Sequence, residues 1–210
     1  MVYGILGGSF NPPHVGHLAL ARTVLDLGLV ERVCLIPAAI PPHKAAPTQA
    51  APSIRLAMTE LLAKSDPRLS VNAIELERAG LSYTVDTLRE LHRLHPADRF
   101  RLIIGSDLAK TFATWREYKE VLRLAPPLVA ERPDAEFTGE GDYAGMTPEE
   151  ASLMAAGRFP MRPMAVSSTL VRKLLAEGAD DARMLAYLTP PVLDYVREHR
   201  LYRAENDLPH

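Results

Sequence analysis

The sequence lacks several features that define whole classes of protein. It has a single cysteine, Cys34, which excludes an internal disulfide and fits a reducing compartment. No apolar run approaches the roughly 20 residues that a membrane-spanning helix needs. The first residues also lack the basic and apolar segments of a secretory signal. We therefore expect a cytoplasmic protein with no membrane partner.

The chain also lacks an excess of charge of either sign. Its 24 Lys and Arg residues nearly balance 26 Asp and Glu residues, and the basic residues are scattered rather than clustered. Such a chain has no basic field that would gather a polynucleotide, so no nucleic-acid partner is expected. With 47% hydrophobic residues, 210 residues suffice for one well-buried core. The sequence is compatible with a homo-oligomer and does not fix the oligomeric state.

Apolar runs rich in β-branched residues alternate with amphipathic helical patterns along the chain. This order predicts an α/β fold with a doubly wound, mainly parallel sheet, helices on both faces and a small C-terminal helical region. Strands are expected at 2–6, 33–36, 69–76, 100–105, 128–130 and 164–168. We expect a single domain over 1–203, with an insertion or lid at 133–163, C-terminal helices at 179–203 and a frayed tail at 204–210.

Two helix starts are marked by their own residue types. Ser53 is expected to cap a helix that runs to about residue 64. Within the expected insertion, Thr147, Pro148 and Glu150 have the spacing of a capping box with proline at the first helical position. A helix is therefore expected to start at this point.

The stretch "GGSFNPPHVGH", residues 7–17, joins the first expected strand to the first expected helix. Glycines let backbone N–H groups approach a ligand closely, and a helix start carries about half a positive charge. Pro12 and Pro13 hold the loop extended before the helix. His14 and His17, three residues apart, then fall on nearly the same face of its first turn and can address one phosphate group together. The pattern predicts an anion site, although it is neither a Walker loop nor a G-x-G-x-x-G motif.

Three other interpretations of this stretch are open. The glycines can serve the tight turn alone, and either histidine can be an ordinary structural residue. The histidine pair can also ligate zinc, which requires at least one more protein ligand. The sequence has no cysteine cluster and no H-E-x-x-H pattern, which disfavours a metal site.

The stretch "GSFNPPHVGH" resembles the signature of the nucleotidyltransferase superfamily, which carries H-x-G-H or T-x-G-H after the first strand. Four further motifs follow in order, namely "PPHK" at 41–44, "SYTVDTL" at 82–88, "IIGSD" at 103–107 with Trp115 eight residues later, and "SSTLVR" at 167–172. Together they resemble the bacterial nicotinate-nucleotide adenylyltransferases from about residue 2 to 202, most weakly over 133–163. H-x-G-H alone would also fit pantetheine-phosphate and cytidylyl transferases or class I aminoacyl-tRNA synthetases.

The resemblance implies a Rossmann-like fold and transfer of AMP from ATP to nicotinate mononucleotide. The products would be pyrophosphate and nicotinate adenine dinucleotide, the deamido precursor of NAD. A phosphate nucleophile is already ionised near neutral pH, so no strong general base is required. Direct in-line displacement then needs two polyanions to be brought together and the developing charge to be stabilised. Mg²⁺, bound mainly through ATP phosphates and water, is the expected cofactor.

The resemblance also implies a role for individual residues. The expected catalytic residues are His14, His17, Lys44 and Arg172. The expected ATP-binding residues are Gly8, Ser9, Phe10, His14, His17, Gly105, Asp107, Ser167, Ser168 and Arg172. The expected residues for nicotinate mononucleotide are Asn11, Lys44, Thr84 and Trp115. Thr84 would receive the nicotinate carboxylate and Trp115 would stack on the pyridine ring. Arg132 is a further candidate on the adenosine side.

Alternatives to these roles depend on the same residues. Lys44 can be a solvated surface lysine, "SSTLVR" a capped surface helix, and Trp115 a core residue. Two other functions are open. One is adenylyl transfer to nicotinamide mononucleotide or phosphopantetheine, and the other is nucleotide sensing without catalysis. "SYT" and Trp115 favour the nicotinate ring because a pantetheine arm presents no ring to stack. The number of cations among the motifs favours an enzyme over a sensor.

Overall fold

A six-stranded sheet organises the chain, and a computed structural model describes residues 1–40, 50–78, 80–131 and 143–203. The strands are β1 (Val2–Gly8), β2 (Arg32–Pro37), β3 (Leu69–Val71), β4 (Arg99–Gly105), β5 (Leu128–Glu131) and β6 (Arg158–Pro160). Their order is β3-β2-β1-β4-β5-β6, and every neighbouring pair is parallel. This is the strand order of a Rossmann-like, doubly wound sheet, so the expected fold class is confirmed.

Helices connect the strands and extend beyond the last one. They are α1 (Val15–Asp26), α2 (Pro52–Ala63), α3 (Ile74–Arg78), α4 (Thr84–Leu94), α5 (Ser106–Ala109), α6 (Tyr118–Leu124), α7 (Pro148–Ala156), α8 (Ser168–Ala176), α9 (Asp181–Met184) and α10 (Pro190–Glu198), with a 3-10 turn at Phe112–Thr114. In the ranges that the structure covers, none of these helices has the length and apolar character needed to cross a membrane.

Alternate residues of the strands build two separate cores on the two faces of the sheet. Leu6, Leu35 and Ile103 point into the first core, which α1, α2, α8 and α10 cover. Ile5 and Ile104 point into the second core, which α4, α6 and α7 cover. The C-terminal helices therefore pack on the same face as α1, and this brings the late part of the chain against the loop that follows β1.

Several local predictions were wrong, and each has a local cause. The expected strand 69–76 ends at Val71, because the side chain of Asn72 accepts the Ile74 N–H at 2.9 Å and starts α3 instead. Ser53 does not cap α2, which begins at Pro52. Residues 164–168 form no ladder, since the Val166 N–H bonds locally to the Met164 carbonyl at 2.8 Å.

The expected insertion at 133–163 is in part a component of the sheet. Thr147 and Glu150 form the expected capping box at the start of α7, which buries Met154 in the second core. The chain then enters β6, which pairs with β5 as the edge of the sheet. Residues 132–142 lie outside the described part of the chain, so closure of this segment over a substrate stays a prediction. The tail at 204–210 also lies outside it.

The approach of β6 to the start of β5 depends on Gly157. A Cβ at this position would lie 1.9 Å from the Pro127 carbonyl oxygen, while the Gly157 carbonyl accepts the Val129 N–H at 2.9 Å. We expect Gly157→Ala to lower the free energy of unfolding by about 3 kcal/mol, because backbone has to move to relieve the clash. Urea denaturation followed by circular dichroism measures this loss.

Gly178→Ala is the matched control for that substitution. Gly178 has φ 74°, but a Cβ there would meet none of the described atoms within 4 Å. Only its backbone conformation is therefore strained, and the loss should be about 1 kcal/mol. Equal losses for the two variants would contradict the close contact at Gly157.

Candidate active site

The candidate site lies where β1 and β4 end side by side at the carboxyl edge of the sheet. The strand order reverses between them, because β2 and β3 continue on one side and β5 and β6 on the other. In open parallel sheets such a reversal leaves a crevice in which ligands bind. A Cβ on Gly7 or on Gly105 would meet none of the described atoms within 4 Å. Both strands therefore end beside open space, as a ligand site requires.

The loop after β1 is built around Phe10. This residue has φ 47°, an uncommon conformation for a bulky side chain, and it is 1% exposed. Its ring lies in the first core, with its centroid 4.9 Å from that of His17. Gly8 is also close, since a Cβ there would lie 3.5 Å from the Phe10 ring. Phe10, expected to bind ATP, thus has a buried side chain that supports His17, and only its backbone can face a nucleotide.

His14 and His17 form a stacked pair at the start of α1. His14 is the N-cap residue and His17 the third residue of the helix. Their ring centroids are 3.8 Å apart, and the His14 backbone N–H donates to His17 Nδ1 at 3.1 Å. Because Nδ1 of His17 accepts this bond, the proton of its neutral ring sits on Nε2. His17 is therefore held as an Nε2–H donor.

His14 is the more buried member of the pair. It is 8% exposed, and burial lowers its pKa to about 4, so its ring is neutral near pH 7. His14 can therefore serve an anion as a hydrogen-bond donor and not as a positive charge.

Gly16, the glycine of "HVGH", permits a close approach of two helix starts. A Cβ at this position would lie 2.8 Å from Val166 Cγ1 and 3.0 Å from His14 Nδ1. Val166 immediately precedes Ser167, the N-cap residue of α8. The first turns of α1 and α8 thus lie against each other, and each helix start contributes partial positive charge. Their combined field favours a polyanion.

The first turn of α8 is hydrogen-bonded directly to the loop after β1. Ser168 Oγ donates to the Pro12 carbonyl at 2.9 Å, and the Arg172 guanidinium donates to the Asn11 carbonyl at 2.7 Å. Ser167 caps α8 by accepting the Leu170 N–H at 3.1 Å. The structure therefore brings the serines and Arg172 to the loop that carries the two histidines.

Asn11 is buried, and its side chain holds the loop in place. Its Oδ1 accepts hydrogen bonds from the Ala50 N–H at 3.1 Å and from the Tyr202 hydroxyl at 2.7 Å. This structural use of Asn11 was not expected, and its binding of a mononucleotide stays a prediction. Tyr202 was likewise missed, because only the folded chain brings residue 202 beside residue 11.

The expected acceptor residues lie beside the end of β2. Ser82 Oγ accepts the Ala39 N–H at 2.9 Å, which places the start of α4, and with it Thr84, next to β2. One residue before Thr84, the Tyr83 ring lies 4.7 Å beneath the Arg116 guanidinium. Trp115 precedes Arg116 in the chain and therefore lies near the start of α4, which carries Thr84.

Trp115 is half-buried, with its ring centroid 4.9 Å from that of Phe112 at the margin of the second core. It thus contributes to packing and still has exposed surface. On the neighbouring strand, Gly105 is the N-cap of α5 and Asp107 stands exposed in its first turn. Both lie at the carboxyl end of β4, as expected.

Some expected groups cannot be placed. Lys44 and Arg132 lie outside the described residues. Among the residues that are described, no three His, Cys, Asp or Glu side chains are grouped so that they could hold a metal ion. The alternative of a zinc site therefore finds no third ligand within those ranges. Cys34 is buried, and burial raises its thiol pKa to about 11, so its side chain is a neutral thiol near neutral pH.

One residue near the site was missed although the sequence carries a signal for it. Arg55 lies on the buried face of α2 with Met58 and Leu62, and it is 1% exposed. A charged residue at an apolar position of a helix is unusual unless it has polar partners. The partners of Arg55 are backbone carbonyls around the site.

The lowered pKa of His14 makes stability depend on pH. The unfolded chain binds a proton near pH 6.5, whereas the folded protein binds it only near about 4. Stability therefore falls as the pH decreases through this window, and His14 should account for about 2 kcal/mol by about pH 5. Urea denaturation of the wild type and His14→Gln at about pH 7 and pH 5 measures the difference. Other titrating groups are common to both proteins, so equal acid sensitivity would contradict a buried neutral His14.

Comparisons with known proteins agree with this geometry. Residues 5–174 match the family model described as cytidylyltransferase-like. The chain is 40% identical to a protein of Salinibacter ruber named "Probable nicotinate-nucleotide adenylyltransferase", over 97% of this chain and 98% of that protein. Two structures of the Plasmodium falciparum nicotinic acid mononucleotide adenylyltransferase share the fold. The complex with APC has a TM-score of 0.71 at 18% identity, with 96% of each chain covered. The complex with NaAD has a TM-score of 0.71 at 19% identity, with 96% and 97% covered. The chain belongs to the nicotinate-nucleotide adenylyltransferase family.

Proposed function

We infer that this protein transfers the AMP group of ATP to nicotinate mononucleotide, which gives nicotinate adenine dinucleotide for NAD synthesis and pyrophosphate. The structural observation that carries this inference is the meeting of two helix starts, two imidazoles and Arg172 at the reversal point of the sheet. Relatives named "Probable nicotinate-nucleotide adenylyltransferase" align along nearly the whole chain and support nicotinate mononucleotide as the acceptor.

The proposed reaction is a direct displacement at the α-phosphorus of ATP. An oxygen of the mononucleotide phosphate forms the new P–O bond while the bond to the bridging oxygen breaks, and its electron pair leaves with pyrophosphate. The nucleophile is already ionised, so no residue has to remove a proton from it. Catalysis then consists of alignment and of stabilising the charge that moves onto the departing oxygens.

Three elements can supply that stabilisation. His17 offers an Nε2–H fixed by its bond to the His14 backbone, and His14 offers a neutral ring beside it. Ser167 and Ser168 lie at the start of α8, where backbone N–H groups can bind an anion. Arg172 adds a permanent positive charge on a side chain already oriented by Asn11. Lys44 stays a proposed fourth group.

The acceptor would lie on the other side of the crevice. The N-terminus of α4 and Thr84 suit the nicotinate carboxylate, because a helix start favours a negative group. The exposed part of Trp115 would stack on the pyridine ring. Gly105 and Asp107, at the end of β4, would border the nucleotide between the two sides.

Mg²⁺ is proposed to arrive with ATP rather than to be a resident cofactor. The described residues hold no cluster of side chains suited to a metal ion, whereas the phosphate oxygens of ATP and water are the ligands that Mg²⁺ prefers. When bound, the ion would neutralise phosphate charge. No step of the proposed reaction depends on a protein ligand to it.

Several expectations about the whole protein remain predictions. These are the single-domain organisation of 1–203, the cytoplasmic location, a homo-oligomer and the absence of a nucleic-acid partner. The buried free thiol of Cys34 fits a reducing compartment.

A panel of acceptors tests the reaction. With ATP and Mg²⁺, we expect the highest kcat/KM for nicotinate mononucleotide, at least about ten-fold above nicotinamide mononucleotide and phosphopantetheine, because discrimination lies in this ratio. Release of pyrophosphate and formation of the dinucleotide are measured together. A higher value for another acceptor would assign a sister specificity. Tight ATP binding with no conversion of any acceptor would indicate a sensor.

A second test concerns His17. We expect His17→Ala to lower kcat by about two to three orders of magnitude, since one fixed donor to the transition state is lost. The melting temperature should change little. His95→Ala, at an exposed histidine that follows α4, is the control and should keep the wild-type kcat. Near-normal turnover of His17→Ala would reject the assigned role.

A further inference from the structure

Arg55 is a buried cation near the site that takes no direct part in the proposed reaction. It projects from α2 into the protein and is 1% exposed. Within the described residues no carboxylate forms an ion pair with it, and burial lowers the pKa of its guanidinium. Burying an unpaired charge is unfavourable unless its donors are satisfied. The partners of Arg55 explain why it is tolerated.

Within the described residues, the hydrogen bonds that Arg55 donates all go to backbone carbonyls. Nη1 donates to Ser9 at 2.8 Å and to Ala38 at 2.7 Å, Nη2 to Ala39 at 3.2 Å, and Nε to Ala50 at 3.1 Å. Ser9 belongs to the loop after β1, Ala38 and Ala39 follow β2, and Ala50 precedes α2. One planar guanidinium thus fixes three separate segments relative to one another.

Through Ala50, the hydrogen bonds of Arg55 are linked to the loop of residues 9–14, which precedes α1. Ala50 accepts a bond from Arg55 through its carbonyl, and its N–H donates to Asn11 Oδ1 at 3.1 Å. Asn11 also accepts the Tyr202 hydroxyl at 2.7 Å and, through its carbonyl, the Arg172 guanidinium. Arg55 therefore holds the loop of residues 9–14 on one side, while Arg172 and Tyr202 hold it on the other.

The direction of the Ser9 carbonyl matters for an anion site. Because this carbonyl points at Arg55, the N–H of the same planar trans peptide, on Phe10, points the opposite way. Without the guanidinium, the carbonyls at the ends of β1 and β2 would be buried acceptors without a donor and would have to turn. The loop between β1 and the two histidines would turn with them.

We propose that Arg55 is a positioning residue for the AMP transfer, which fixes the β1–α1 loop so that His14 and His17 face the reacting phosphates without itself touching substrate. This role rests on the proposed function. It requires the fork of the guanidinium and not merely a positive charge, because only the fork reaches several carbonyls at once.

Arg55→Lys tests the proposal, because lysine keeps the charge and loses the fork. We expect kcat to fall by about ten- to a hundred-fold, since small misplacements of aligned groups are costly. The KM values for both substrates and the Kd for ATP should change by less than about three-fold, because ground-state binding relies less on the position of the histidines.

Arg101→Lys is the matched control. Arg101 is also partly buried and donates to backbone carbonyls, those of Pro126 at 2.8 Å and Pro127 at 3.3 Å, but at the opposite edge of the sheet. We expect it to lose stability with an unchanged kcat. An unchanged kcat in Arg55→Lys, or an equal fall in Arg101→Lys, would overturn the proposal.

Tyr202→Phe keeps the test decisive if Arg55→Lys does not fold. This change removes only the hydroxyl bond to Asn11 on the other side of the loop, and we expect a three- to ten-fold lower kcat at unchanged KM. A wild-type kcat would then overturn the proposal.

Hydrogen exchange over residues 9–14 separates this proposal from the function on which it rests. We expect faster exchange there in Arg55→Lys and not in Arg101→Lys, and this readout needs no turnover. An inactive wild type would reject the proposed function. Unchanged exchange in Arg55→Lys would reject the positioning role alone.

Discussion

The hydrogen bonds between the first turn of α8 and the loop after β1 are the constraint on which the site depends. They join residues 156 and 161 positions apart, Ser168 to Pro12 and Arg172 to Asn11. Because Gly16 has no side chain, the two helix starts also approach to van der Waals contact. The histidines and the arginine consequently lie together at the carboxyl end of β1, although the chain between them builds most of the fold.

Much of the fold could be predicted, because the sheet depends on patterns that are local in sequence. The runs at 100–105 and 128–130 fall in β4 and β5, and the Thr147 capping box starts α7 as expected. The wrong predictions concern places where a short edge strand or a single side chain determines the local structure. β6 is three residues long, and it is a strand because it pairs with β5. No local sequence pattern encodes that pairing.

The site was predictable to the extent that its residues lie in motifs with a recognisable spacing. Their physical state was not. That His14 is neutral follows from burial by distant parts of the chain, and that Phe10 faces inward follows from a backbone angle. Arg55 left a trace only as a charge on an apolar helix face, and its partners lie up to 46 positions away. Contacts of this kind are properties of the folded chain.

The hydrogen bonds of Arg172 have a thermodynamic consequence. Its guanidinium donates to the Asn11 carbonyl and to Thr169 Oγ1 of its own chain. A long side chain that is free in solution loses rotamer entropy when it captures a ligand. Here that loss occurs when the chain folds, so under the proposed function more of the attraction between the guanidinium and a phosphate would be retained as affinity.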